Sequence, residues 1–143
     1  MRKATYTPDP LPHQRAPTGA PDRYVTTDDV AFDWRPSPRS SILDDFPPSV
    51  IVLHTDGKLS GVLALTLDHD GCRHIGMTIA SPFYFAVSVA PSFGRARPAA
   101  ALHDFLYEHV SEITRVTGRS RRYILHVADR WFFSQLDASG FLL

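Results

Sequence analysis

The sequence predicts an α+β domain in which a mixed, mostly antiparallel sheet is flanked by helices and preceded by an irregular, proline-rich arm. Three observations predict it. Nine of the twelve prolines fall within the first 48 residues. Short apolar runs separated by turns that contain aspartate and glycine follow, as in antiparallel meanders. Apolar residues then recur every three or four positions between Pro98 and Thr117, the spacing of an amphipathic helix.

The arm, residues 1–48, holds too many prolines for a long helix or a central strand. Short helical turns are predicted at 26–34, where Thr27 or Asp28 can cap, and at 40–46, after Ser40. The arm also carries apolar residues that need a surface to bury against. These are Tyr24, Val25, Val30, Phe32, Trp34, Ile42, Leu43 and Phe46. The arm therefore packs either on the domain that follows, residues 49–143, or on a partner.

Strand signals follow the arm in the runs SVIVLHT, KLSGVLALTL, CRHIGMTI and FYFAVSVA, with turns at Asp56-Gly57 and at residues 69–71. Glycine supplies the positive φ that tight hairpins require. The helix after these strands is opened by Pro98 and closed by Gly118. RRYILHVA then predicts a strand, and DRWFFSQLDASG predicts a short helix. The terminal FLL is long enough only for the start of one more strand.

Charge and composition indicate which binding partners and which cellular compartment to expect. Lysine and arginine number 15, as do aspartate and glutamate, so no global field attracts nucleic acid or an anionic membrane. The arginines at 115, 119, 121 and 122 follow a helix C-terminus, where cations are favoured, so nucleic-acid binding is not predicted. A single cysteine, Cys72, forms no intramolecular disulfide. Without a secretory signal or a membrane-length apolar run, we expect a cytoplasmic protein, or one of a virion assembled in a cell.

The segment HDGCRH contains the side-chain types that bind zinc, at His69, Asp70, Cys72 and His74. A tight turn divides these groups between two faces, and no second ligand pair accompanies them. The favoured interpretation is a polar hairpin tip, and no metal site is predicted.

The stretch VAPSFGRARPAAAL, residues 89–102, carries the most specific signal. A strand ending in V-x-P that runs into a glycine-containing loop and a helix resembles the Gcn5-related N-acetyltransferase (GNAT) superfamily. Five positions match that motif: Val89, Pro91, Phe93, Ala99 and Leu102. The C-terminal ILHVADRWFFSQLDASGF is similar to the family's strand, short helix and closing glycine-phenylalanine pair, here Gly140-Phe141. The resemblance implies a GNAT-like domain over residues 49–143 in which the family's usual final strand is missing.

Members of this family bind acetyl-coenzyme A with backbone N–H groups of the loop and the helix N-terminus. The resemblance carries the cofactor contacts to Val87, Val89, Gly94, Arg95, Arg97, Ala99 and Ala100. The chain departs from the motif because Gly94 stands at its Arg/Gln position and Arg97 at its central glycine. Pro98 stands at the next position and has no N–H to donate. Arg95 and Arg97 retain side chains that bind phosphate.

The family's catalytic groups are a carboxylate on a central strand and a tyrosine in the last helix. The run SPFYFAVSVA contains no acid, and the tyrosine position is Leu136, which cannot donate a proton. Tyr84, Tyr123, His54 and His126 are substitutes that no spacing argument selects. The residues therefore predict no catalytic site.

We therefore expect a non-catalytic GNAT-like protein without a cofactor. It would bind another protein chain, through the arm or the C-terminal edge strand, as a structural or assembly component. Small degenerate domains of this kind are similar to internal virion or assembly proteins of short-tailed phages. The alternative is an acetyltransferase acting on an amine of a protein or small molecule. Arg95, Arg97 and the N–H groups of Ala99 and Ala100 would then hold acetyl-coenzyme A.

Overall fold

The computed structural model describes residues 11–17, 23–35, 48–67, 69–86 and 96–138. Within them, seven strands form two antiparallel sheets, accompanied by three helices, so the predicted α+β class is confirmed. The larger sheet contains β3 (Val30–Trp34), β4 (Ser49–Thr55), β5 (Lys58–Leu67) and β6 (Arg73–Ile79), in the order β3-β6-β5-β4. The smaller sheet contains β1 (His13–Arg15), β2 (Arg23–Thr26) and β7 (Tyr84–Ala86), in the order β1-β2-β7.

The meander formed by β4, β5 and β6 is confirmed, including its first turn. Asp56 and Gly57 adopt φ values of 53° and 78°, the left-handed conformation that a two-residue hairpin needs at both central positions. The fourth strand predicted for the meander, FYFAVSVA, pairs elsewhere. Its described part, β7, pairs with β2 in the smaller sheet and leaves the meander.

The described part of the arm is more regular than expected. The helical turn predicted at 26–34 is wrong, because β2 ends at Thr26 and β3 pairs along its whole length with β6. Val30 and Phe32 are buried while Ala31 and Asp33 are exposed, which is the two-residue period of a half-buried strand. The prediction at 40–46 lies outside the described residues. Residues 23–34 thus contribute a strand to each sheet of their own domain.

The predicted helix 98–117 forms as two pieces, α1 (Ala96–Glu108) and α2 (Val110–Thr117), separated at His109. Gly118 ends α2 with a φ of 72° and donates its N–H to the carbonyl of Thr114, as predicted for a glycine C-cap. The strand predicted at RRYILHVA is wrong. That run begins α3, a single helix over Arg121–Ala138.

Two features explain the long third helix. The N–H of Tyr123 donates to Ser120 Oγ at 3.1 Å, so Ser120 caps the helix start. Ile124, Val127 and Trp131 are then buried at helical spacing. GNAT-like sheets need a strand after the long helix, and the described residues place a helix there instead. The predicted terminal strand and Gly140-Phe141 lie outside the described residues.

All three helices cover one face of the larger sheet, here called the inner face. Ile51, Leu63 and Leu65 of that face meet Leu106 of α1, Ile113 of α2 and residues of α3 around a small apolar void. Of the three adjacent aromatics in α3, Trp131 and Phe132 are buried and Phe133 is 53% exposed, as one helix face requires. No helix in the described ranges has the length and apolar character to cross a membrane.

Candidate functional site

The predicted cofactor residues fall into two groups. Val87, Val89, Gly94 and Arg95 lie outside the described residues. The others begin α1, where the side chains of Ala99 and Ala100 are buried in the core. The guanidinium carbon of Arg97 lies 4.9 Å from the centre of the Tyr24 ring, a cation–π geometry. Arg97 is therefore already engaged by an aromatic side chain of β2.

The tyrosine position of the family is also occupied by a structural residue. Leu136 is buried on α3. The four proposed substitutes do not converge: Tyr123 and His126 border one open cavity of about 430 Å³, whereas Tyr84 borders a different one. The backbone N–H of His54 donates to the carboxylate of Glu112 on α2.

On the face of the larger sheet opposite the helices, two cross-strand rows lie beside the polar pair Thr66 and His74, and we call the eight residues of these rows the outer face. One row is Val52, Val62, Thr78 and Ala31, and the other is Val50, Ala64, Gly76 and Asp33. Seven of the eight carry no charge. The side chain of Asp33, at the β3 edge, is hydrogen-bonded to the imidazole of His74. The outer face is thus an uncharged surface with a polar corner.

The large apolar side chains that are exposed on the outer face lie on β4, an edge strand of the larger sheet among the described residues. Val50 is 65% exposed and Val52 is 46% exposed. One backbone donor of β4 is satisfied by a side chain, because Glu112 accepts from His54. The alternation of residues along β4 and β5 indicated which side chains share a face. The cross-strand rows could not be predicted, because they depend on how the strands are aligned with one another.

A second candidate site is a cavity of about 280 Å³ at the hairpin end of β5. The residues after β6 and the junction of α1 with α2 complete its wall. Ser60 Oγ and His109 Nε2 lie 3.1 Å apart there. Leu59, Pro82 and Tyr84 give the cavity apolar walls, with Lys58 and Glu108 beside them. No sequence spacing connects Ser60 with His109, which are 49 positions apart.

Burial governs the protonation of His109. The imidazole is 5% exposed, and burial lowers its pKa below 6.5 despite the nearby carboxylates of Glu108 and Glu112. Its ring lies 4.4 Å from that of Phe105, centre to centre. A neutral ring is therefore the dominant form at neutral pH, and such a ring can accept the hydroxyl proton of Ser60.

A polar cluster joins α1 to α3 at the surface. His103 Nε2 lies 2.8 Å from Asp129 Oδ1, and the hydroxyl of Tyr107 donates to the same oxygen at 2.7 Å. Burial alone would lower the pKa of His103, but Asp104 and Asp129 outweigh it and raise the pKa above 6.5. Burial also opposes ionisation of Asp129, yet its two hydrogen bonds lower its pKa. Burial and the bond to Asp129 raise the pKa of Tyr107 to about 12.

The four potential metal ligands of HDGCRH do not converge on a common position. His74 contacts Asp33 across the sheet, and Cys72 is half-buried. Within the described ranges, no group of three histidine, cysteine, aspartate or glutamate side chains is arranged to hold a metal ion.

Comparison of the chain with protein-family models, curated proteins and solved structures found no match. The GNAT resemblance therefore rests on the motif residues, and it stays a prediction.

Proposed function

We propose that this protein is an assembly component whose copies associate through the outer face, and that it does not transfer acetyl groups. The observation that carries the proposal is the pair of cross-strand rows on that face, which hold no charge until Asp33 at one end. Antiparallel sheets with one solvated face normally alternate apolar residues inside with polar residues outside. Here valine, alanine and glycine occupy most of the outward positions.

The chemistry of the face favours a second copy of this chain as its occupant. Two equivalent faces related by a two-fold axis would bring uncharged surfaces together, with each polar corner at the rim. The formal net charge of zero adds no long-range repulsion between copies. Ala31, Ala64 and Gly76 have small side chains, so the part of the outer face that they form is flat. A flat surface permits close approach of the two sheets.

The size of the face sets the expected strength. The whole side of the sheet opposite the helices, four strands at about 4.8 Å spacing and at most roughly seven residues at about 3.3 Å, sets an upper bound of about 400 Å² on each copy, or about 800 Å² in total. An interface of that area is at the weak, transient end of specific association. We expect a dimer that forms at high local concentration, as in an assembly.

Two features support the exclusion of acetyl transfer. The only described cation of the proposed cofactor contacts, Arg97, stacks on Tyr24, and the proton-donor position holds the buried Leu136. Calorimetric titration with acetyl-coenzyme A is expected to give no heat of binding. Micromolar binding would instead favour the acetyltransferase alternative.

The assembly proposal is tested by sedimentation equilibrium, from about ten micromolar to about one millimolar chain, because an interface this small predicts weak association. We expect a reversible monomer–dimer equilibrium. Val52→Lys buries a charge in each half of the interface and should raise the dissociation constant by more than about tenfold, or about 1.4 kcal/mol.

Val116→Lys is the matched control, because Val116 on α2 is 48% exposed and lies outside the outer face. It should leave the dimer unchanged. A wild-type chain that stays monomeric at the highest concentration overturns the proposal. If Val52→Lys then unfolds more easily than Val116→Lys, the face is covered by the chain's own residues.

A further inference from the structure

A local irregularity in the larger sheet places Ser60 against His109. Leu53 pairs with Gly61, but the next residue, His54, pairs with Leu59, so Ser60 is the extra residue of a β-bulge. Its carbonyl still accepts from the N–H of Ala80 on the neighbouring chain segment. The bulge breaks the alternation of β5 and directs the Ser60 hydroxyl to the imidazole.

His109 is held by the helices. It separates α1 from α2, and its backbone N–H donates to the carbonyl of Phe105 at 3.1 Å. Ile113 donates to the carbonyl of His109 at 3.0 Å. Both backbone polar groups of His109 are therefore hydrogen-bonded to the helices. The imidazole extends from this fixed backbone, and its Nε2 lies at hydrogen-bond distance from Ser60 Oγ.

We propose that Ser60 and His109 form a nucleophile–base pair that hydrolyses small esters in this cavity. Three observations converge: a serine displaced from sheet alternation, a neutral buried histidine in contact with it, and a cavity beside both. A hydroxyl is a weak nucleophile until an adjacent base takes its proton. At about 280 Å³, the cavity is slightly smaller than typical drug-sized pockets, so it suits a short acyl group.

The reaction balances without a further reagent except water. Ser60 Oγ forms a bond to the ester carbonyl carbon while its proton passes to His109 Nε2. The bond from that carbon to the alkoxy oxygen then breaks, and the alcohol leaves with the proton from His109. Water attacks the acyl-serine, giving the carboxylic acid and regenerating the Ser60 hydroxyl.

The cavity walls supply the accompanying interactions. Leu59, Pro82 and Tyr84 offer apolar contact to the acyl group. Lys58 is the only cation that lines the cavity among the described residues, and its positive charge stabilises the oxyanion that develops on the carbonyl oxygen.

The test uses the full chain with p-nitrophenyl acetate, together with a fluorophosphonate probe that labels activated serines. We expect saturable hydrolysis, and peptide mass spectrometry should locate the probe on Ser60. Ser60→Ala and His109→Gln should each lower the rate by roughly 100-fold or more, the usual contribution of a general base. The labelling rate should fall with decreasing pH through the lowered pKa of His109.

Matched controls are Ser111→Ala and His126→Gln, both exposed residues on other helix surfaces. They should retain the wild-type rate, which separates the cavity reaction from hydrolysis by surface imidazoles. If Ser60→Ala or His109→Gln fails to fold, the probe site in the wild-type chain still decides. Labelling away from Ser60, absence of labelling, or an unchanged rate in folded Ser60→Ala overturns the proposal.

Discussion

The two faces of the larger sheet are built from the same strands but differ in the size and the burial of their side chains. The inner face carries large side chains such as Ile51, Leu63 and Leu65, each no more than 2% exposed. The outer face carries valine and smaller residues in two rows, with Asp33 as the only charged residue of the eight. The two faces thus differ in side-chain size and in the cover that the helices provide. The buried side chains of the inner face stabilise the monomer, whereas the outer face is the surface that we propose for association.

The largest expected difference between the two faces is in the loss of unfolding free energy at two adjacent residues of β5. Leu63→Ala removes buried methyl groups beneath the helices and should cost about 2–5 kcal/mol of unfolding free energy. Val62→Ala, on the outer face, should cost less than about 1 kcal/mol in the monomer. Urea unfolding at low micromolar concentration measures both. Equal losses would mean that the outer face is already packed within the monomer.

A second test uses the two glycines of the sheet that lie on opposite faces. A Cβ at Gly61 would lie 2.3 Å from the carbonyl oxygen of Thr78 and 2.5 Å from the Phe105 ring. Gly61→Ala should therefore cost about 1–3 kcal/mol, or more, through overpacking. At Gly76 the nearest atoms would be 3.9 Å away. Gly76→Ala should stabilise the monomer by up to about 1 kcal/mol, because alanine loses less entropy on folding.

Urea midpoints for the two glycine variants, measured under one set of conditions, decide between the faces. A loss at Gly76 as large as that at Gly61 would show that another part of the chain lies against the outer face in the monomer. Sedimentation equilibrium of Gly76→Ala then measures the effect of the same substitution on dimerisation. A methyl group in the flat part of the interface should weaken dimerisation while the monomer becomes more stable.

Local chemistry made part of this fold predictable. The Asp56-Gly57 turn, the alternation of β4 to β6 and the Gly118 cap each express a conformational rule that a few neighbouring residues satisfy. The run RRYILHVA was ambiguous because a short apolar run suits a buried strand as well as a helix. Ser120 as a cap, with no proline or glycine through residue 138, was the signal for a helix.

The candidate sites depend on long-range contacts and were harder to predict. Ser60 and His109 are 49 positions apart, and only the bulge in β5 brings their side chains together. The rows of the outer face need the register of four strands, including β3 from the arm. The arm was difficult because prolines obscured short strands whose burial comes from partners far along the chain.

The smallest expected effect concerns the polar cluster that holds α1 to α3 over the inner face. The pKa of His103 is raised above 6.5 in the folded chain, so its contribution to stability is fully present below pH 6.5. It is lost as the pH rises through the raised pKa. Asp129 has a pKa below its ordinary 3.8, so its contribution is present above pH 3.8 and is lost as the pH falls through the lowered pKa.

Stability from this pair should therefore be greatest between about pH 4 and 6.5. It should amount to less than about 1 kcal/mol, because both groups remain partly in contact with solvent. Urea unfolding of wild type and His103→Gln across pH 4 to 9 measures it as a difference that shrinks above neutrality. His69→Gln is the control, since His69 is exposed in the turn between β5 and β6. A His103→Gln difference that is constant with pH would assign His103 a packing role against Phe132, whose ring centre lies 5.1 Å away.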